Sequence, residues 1–332
     1  MPSPQELAAK ESPVRRATWQ GGLVVLGICA GTVAWAAVGS QTDAACGCAD
    51  YGWVAAAGNA DAAFIASAGT ITRADAQGGL LRRAHAIAYS ARSGSPLVWL
   101  SAGEERLWAG QRGSARAFRA SDLAPLGPPL RLFRGGQGPN IASAAGAVWG
   151  IELNGGVVRG ADPRRPARVW SVGVGRGTAD IASDGRTVYV ALHRRWAGHQ
   201  IARSTRSALV AIDARTHRIV WRRAVGFDPD AIAAGASGVW ATGGREGQLV
   251  ELGRRDGRVL MRVQIGRGAT DVAAAADGAV VLTDRGLFGV SSGVGVRWLA
   301  GAGRQDQAVV LGGRRLWIAD ARQGALKPAR PV

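Results

Sequence analysis

A short apolar pair closed by an aromatic or bulky residue returns about every 40 residues along this 332-residue chain. The pairs are Leu107-Trp108, Val148-Trp149, Val188-Tyr189, Val239-Trp240, Val280-Val281 and Leu316-Trp317, and their last members lie 41, 40, 51, 41 and 36 residues apart. A recurrence of ~40–45 residues, with four strand-like segments in each, predicts an all-β fold, the β-propeller. In that fold no single repeat buries its own faces, so a ring must be completed by stacking neighbours. Phe64 lies 44 residues before Trp108. The register therefore predicts seven blades, marked by Phe64, Trp108, Trp149, Tyr189, Trp240, Val281 and Trp317, with six or eight as the alternatives.

The best copies show how a blade is built. In ADIASDGRTVYVALH, Ile181 and Ala182 open an inner strand, Asp184-Gly185 supplies the hairpin turn, and Val188-Tyr189-Val190 forms the second strand. The unit recurs from Asn140, Asp230 and Thr270. The outer pair is clearest in ALVAIDARTHRIVWRRAVG, where Asp213 to His217 is the turn and Ile219 and Trp221 alternate with Val220 and Arg222. Repeats are weakest at the two ends, where residues 51 to 90 are Ala-rich and the last blade lacks room for four strands before Val332. Strand donation between termini closes many such rings. The segment around Trp53 to Ala57 is the expected donor.

ALVAIDARTHRIVWRRAVG resembles the repeat of PQQ-type quinoprotein propellers. DAIAAGASGVWATGG followed by LVELGRRDGRVLMRVQIG is similar to the repeats of YVTN-type and streptogramin-lyase-like propellers. The resemblance covers most of residues 140 to 290. It describes how blades pack, and so implies an architecture more than an activity, because one fold hosts many functions.

The N-terminal segment carries a second signal. Ala17 to Thr42 holds no charge and follows Arg15-Arg16, long enough to cross a bilayer of ~30 Å. The basic pair predicts a single-pass membrane anchor with the propeller outside the cytoplasm. A cleaved signal peptide, processed after Ala34-Trp35-Ala36 to give a secreted protein, is the alternative. The expected organisation is a short cytoplasmic segment at 1–16, the anchor or signal at 17–42, a linker at 43–50 and the propeller at 51–332. Cys46 and Cys48 fall in that linker, where an oxidising compartment could pair them within or between chains. The propeller holds no cysteine.

The net charge is +17, and all but two of the 41 basic residues are arginine, the exceptions being Lys10 and Lys327. The sequence has no zinc-finger spacing, RNP-like aromatic motif or continuous basic helix, so a nucleic-acid partner is not expected. The arginines read first as solvated outer strands and rims.

Catalytic motifs are scarce. The four histidines are His85, His193, His199 and His217, and no HExxH or GxxxxGK[ST] occurs. His217 falls in an outer turn and is expected to face solvent. His193 and His199 belong to HRRWAGHQIARSTR, an insertion at 193–206 that explains the one spacing of 51. Strand direction puts this insertion, with Arg194, Arg195 and Trp196, on the same face as Glu152, Arg245, Glu246, Asp284 and Arg285. That face surrounds a mouth formed by Asn140, Asp180, Asp230 and Asp271. Residues of this kind before a strand cap turns. Alternatively they form an acidic ring able to bind a divalent cation or a polar ligand.

Three function classes follow, the third being the quinoprotein dehydrogenase that the PQQ-type resemblance implies. The first is a membrane-tethered binding or scaffolding module that recognises an envelope protein or an anionic surface and needs no cofactor. The second is implied by the streptogramin-lyase resemblance: a metal-dependent lyase or lactonase-like enzyme in which Glu152 and His193 would be the nearest analogues of the family's site. The glutamate-x-histidine element of that family is missing from the sequence. A quinoprotein dehydrogenase would need eight blades and a metal-liganding set.

Overall fold

The computed structural model describes residues 54–329 apart from the segments 68–69, 76–79, 86–98, 104, 112, 135–139, 153–154, 197–198, 201–205, 292–294, 302–305, 313–314 and 321–324, together with 24–29 and 32–37. Seven antiparallel sheets make a seven-bladed propeller. Blade 1 consists of Val54–Gly58, Ala62–Ser67, Thr70–Asp75 and Leu80–His85, and blade 2 of Trp99–Ala102, Arg106–Gln111, Ser114–Arg119 and Leu130–Arg131. Blade 3 runs from Asn140–Ala144 to Val169–Gly173, blade 4 from Thr178–Ser183 to Arg218–Ala224, blade 5 from Ala231–Ala234 to Val259–Gln264, and blade 6 from Ala269–Ala274 to Gly295–Ala300. Blade 7 has three strands, Asp306–Gly312, Arg315–Asp320 and Ala325–Pro328.

Each blade pairs its strands in chain order, innermost to outermost. Every marker residue of the repeat falls in a second strand, and all seven are buried to within 2% of full exclusion. Their role is to fill the space between sheets. In blade 4 the register runs Tyr189 to Ala211 to Trp221, and in blade 3 it runs Trp149 to Gly160 to Trp170. A small residue in the third strand makes room for the two large ones beside it, and a Cβ on Gly160 would strike the Trp170 ring.

Between blades 3 and 4, His217 does not face solvent as expected. Its backbone is left-handed, at φ 59°, which turns the imidazole back onto the ring of Trp170. The two rings stack 4.4 Å apart at 9°, and His217 meets Trp149 edge-on. Burial, and then the nearby Arg168 guanidinium, lower the pKa of this half-buried imidazole. The next seam repeats the device: the Trp221 indole donates to the carbonyl of Arg254 in the blade 5 turn. The Arg254 side chain reaches Asp184, which also accepts from the Tyr189 hydroxyl at 3.0 Å.

Closure differs from the expectation. Val54–Gly58 is the innermost strand of blade 1, paired with Ala62–Ser67, and is not donated to blade 7. Trp53 lies outside the described residues. The seam between blades 7 and 1 is closed by packing Ala56, Ala63 and Ile65 against Ala308, Val310 and Trp317. Among the described residues blade 7 carries no fourth strand. Its outer strand is four residues long and includes Lys327 and Pro328. Proline offers no N–H and lysine adds charge, both of which blunt an exposed sheet edge.

Within the apolar segment at 17–42, Val24–Cys29 and Thr32–Ala37 pair as an antiparallel hairpin, and the remainder lies outside the described residues. Val24, Val25, Ile28 and Val33 favour extended backbone. No helix among the described residues is long and apolar enough to cross a membrane.

Candidate functional site on the loop-rich face

Loops that enter each innermost strand and loops that join second to third strands emerge on one face, as the antiparallel register of Asn140 with Ile151 and of Thr178 with Leu192 requires. The four polar residues of the expected mouth divide into two groups there. Asn140, Asp180 and Asp271 are fully buried and bind the neighbouring blade. The Asn140 amide donates to the Ala179 carbonyl at 3.1 Å. Asp180 accepts from its own blade at Ile181 (2.8 Å) and from Ile232 of blade 5 (2.9 Å), and Asp271 accepts from Val309 of blade 7 at 2.8 Å. Buried backbone N–H groups must find acceptors. These side chains therefore latch one blade to the next.

Burial raises the pKa of both aspartates well above the usual carboxylate range; the Asp271 charge adds to the rise at Asp180, and the backbone N–H donors partly oppose it. Among the described residues no hydrogen bond of good geometry reaches Asp271 Oδ1; the Val272 N–H acts together with that of Val309 against the rise. A carboxyl in that position favours its neutral form.

Asp230 is offset by one residue and faces the loops. Its Oδ2 accepts from Gly244 N at 2.7 Å, and its Oδ1 lies 3.1 Å from His193 Nε2. Two residues earlier, Asp228 is buried and accepts from Arg194 N at 3.1 Å and from the Ser207 hydroxyl. Both stems of the insertion are thus fastened to the loop that enters blade 5. Between them, Arg195–Trp196 and His199–Gln200 pair as a small hairpin, with Trp196 opposite His199. Asp228 is a residue of this candidate site that the sequence reading missed. The only local signal for it is its place one residue before Pro229.

Glu152 and His193 flank the entry to blade 4 from either side. The Glu152 carbonyl accepts from the Thr178 hydroxyl at 2.6 Å, while His193 N donates to the Gly177 carbonyl at 2.7 Å. Their bonds here are made through the backbone. Among the described residues no group of three or more His, Cys, Asp or Glu side chains could hold a metal ion.

A repeated element frames this face. Gly175-Arg176-Gly177 enters blade 4 and Gly266-Arg267-Gly268 enters blade 6, and all four glycines have left-handed backbone, with φ between 80° and 92°. Gly177 takes a hydrogen bond from His193, and Gly268 takes the equivalent bond from Asp284 at 3.1 Å. A Cβ on either glycine would collide with the residue that bonds it. The close approach of two loops therefore requires glycine after each arginine, the left-handed backbone favours it before each as well, and each arginine is exposed.

At the opposite end of the channel lies a cavity of about 790 Å³, lined largely by Ala, Gly and Ser residues such as Ala57, Ser101, Ser143 and Ser183. Two of its polar side chains are engaged internally: Ser183 donates to the Ser143 carbonyl at 2.5 Å and Asn59 to the Gly103 carbonyl at 2.8 Å. The insertion leaves the ring on the other face, where its stems are fastened at Asp228 and Asp230.

No protein-family model and no curated protein matches the chain. Solved structures do. Hydrazine synthase of Kuenenia stuttgartiensis is similar over 90% of this chain and 99% of its own, at 11% identity and a TM-score of 0.62. A chain of the mitotic checkpoint complex covers 97% of this chain and 95% of its own at 15% identity, also with a TM-score of 0.62. The Pan2 WD40 domain of Neurospora crassa covers 67% and 71% at 14% identity, with a TM-score of 0.51. These likenesses establish the β-propeller fold. At such identities they carry the fold and nothing of the activity.

Proposed function

We propose that this propeller is a binding module that recognises a protein partner through the loop-rich face of blades 4 to 6, held outside the cytoplasm by its N-terminal apolar segment. The observation that carries the reading is the anchoring of the insertion: His193 on Asp230, with Arg194 and Ser207 on Asp228. An insertion that only lengthened a surface loop would need no such fastening. Loops positioned on a rigid scaffold are the usual carriers of recognition.

The apolar run after Arg15-Arg16 supports tethering by hydropathy and charge asymmetry. The full chain is expected to sediment with membranes, to need detergent and to keep its N-terminus. A soluble form starting near Ala37 would instead establish cleavage and secretion.

Deleting residues 194–206 tests the binding role. The variant should keep its melting temperature, because the seven sheets do not depend on the deleted residues. It should lose the proteins that copurify with the full-length chain after in-cell crosslinking. Unchanged copurification would contradict the reading. Metal-dependent turnover of a lactone or cyclic ester, abolished by Glu152→Gln or His193→Ala, would replace it with the lyase reading.

A further inference from the structure

The exposed charge on the loop-rich face has the opposite sign to the carboxylates beneath it. Asp180 and Asp271 are buried, and Asp228 and Asp230 are engaged by the insertion. The exposed basic side chains are Arg176, Arg194, Arg206, Arg245, Arg267 and Arg285. None of the six forms a salt bridge among the described residues.

They also form a continuous arc, because the loops that carry them are bonded to one another. Arg176 adjoins Gly177, which binds His193 beside Arg194; Arg206 adjoins Ser207, which binds Asp228. Asp230 binds Gly244 beside Arg245. Gly268, next to Arg267, donates to Gly244 and accepts from Asp284 beside Arg285. The arc therefore spans three blades on backbone that is held by hydrogen bonds and left-handed glycines, so the points from which its arginine side chains extend are fixed.

We infer that this arc docks an acidic segment of a protein partner, an inference that rests on the binding-module reading above and names the chemistry of the partner. Guanidinium groups pair with carboxylates through two parallel hydrogen bonds, which gives geometric selectivity as well as attraction. Three acids are interspersed with the arc, the half-buried Glu152 and Glu246 and the exposed Asp284. A uniform polyphosphate would be drawn past all three. A polypeptide can set its carboxylates opposite the arginines and neutral residues opposite the acids.

A lipid surface fits less well. Of the large apolar residues exposed among the described side chains, Val157 lies at this face, whereas Val169, Ile219, Val220, Val259, Leu260, Val296 and Trp298 are on outermost strands. Burial of apolar side chains is what holds an interfacial protein in a bilayer.

The test uses the full chain in detergent and a fluorescein-labelled decaglutamate peptide, with phosphatidylglycerol vesicles and oligothymidine as competing probes. The variant carrying Arg176→Glu, Arg245→Glu, Arg267→Glu and Arg285→Glu should bind the peptide about tenfold more weakly or worse. The peptide affinity of the parent chain should fall as salt is raised. Reversing Arg218, Arg255, Arg258 and Arg297, which are equally exposed but lie on outer strands and the opposite turns, should leave binding nearly unchanged.

Equal loss in the two variants would show diffuse attraction to a basic protein and overturn the inference. So would tighter binding to the vesicles or the oligonucleotide, or no binding to the peptide. If the insertion deletion abolishes partner association while decaglutamate fails to bind, the acidic partner is excluded and the binding module stands.

Discussion

His193 Nε2 and Asp230 Oδ1 meet at 3.1 Å across the seam between blades 4 and 5, joining an insertion of one blade to the entry loop of the next. Removing either partner should loosen the insertion without unfolding the ring. His193→Ala is expected to cost about 0.5–1.5 kcal/mol of local stability. Hydrogen exchange of the amides in 193–207 should accelerate, while the amides of the second strands keep their protection. Uniform acceleration throughout blades 4 and 5 would mean that the pair supports the ring itself.

Asp271 offers a pH test whose sign is fixed by burial. Its folded pKa is raised, so the stability linked to its proton is fully present below the unfolded carboxylate value of about 4. That stability is lost as pH rises through the elevated folded value. Asp271→Asn should therefore be more stable than the parent at neutral pH and above, and the difference should vanish in acid. Asn140 already occupies the equivalent place in blade 3. Melting temperatures of both proteins across pH 4 to 8 decide this, and a parallel offset at every pH would contradict it.

Asp180 should respond differently although its pKa is also raised. Both of its oxygens accept backbone N–H groups, from Ile181 and Ile232. An amide would turn a donor toward one of them. Asp180→Asn is expected to lower the melting temperature at neutral pH, in contrast to Asp271→Asn. A higher melting temperature would mean that relief of the buried charge outweighs the lost acceptor.

Trp240 is completely buried in the second strand of blade 5, within the cluster that includes Leu249, Val272 and Val281. Trp240→Ala should cost about 3–5 kcal/mol in denaturant unfolding. A loss near zero would mean that neighbouring blades repack around the gap.

The repeat was legible because one bulky residue per blade has to fill the space between sheets, and that demand imprints Trp149, Tyr189, Trp240 and Trp317 at a regular spacing. The insertion was legible for the same reason, as a break in the spacing. The latches were not. An aspartate before a strand can cap a turn, join a cation site or bind a neighbour, and the partners that decide it here, Ile232 and Val309, lie 52 and 38 residues away in sequence. The basic arc was only half visible: Arg245 and Arg285 were placed on the loop face, whereas Arg176 and Arg267 sit in two Gly-Arg-Gly elements whose repetition becomes meaningful once both are seen entering inner strands. Closure was misjudged because strand pairing at Val54–Gly58 and the blunted edge at Lys327-Pro328 depend on contacts between the two ends of the ring.

The central claim is that partners are recognised by the face that carries the insertion and the arginine arc. A photo-crosslinking residue placed at Arg245 or Arg285 on that face, and separately at Arg164 or Arg186 on the opposite face, tests it in the producing cell. All four positions are exposed. Discrete protein adducts from Arg245 and Arg285, with none from Arg164 and Arg186, are the predicted result. Adducts confined to Arg164 and Arg186 would contradict the account.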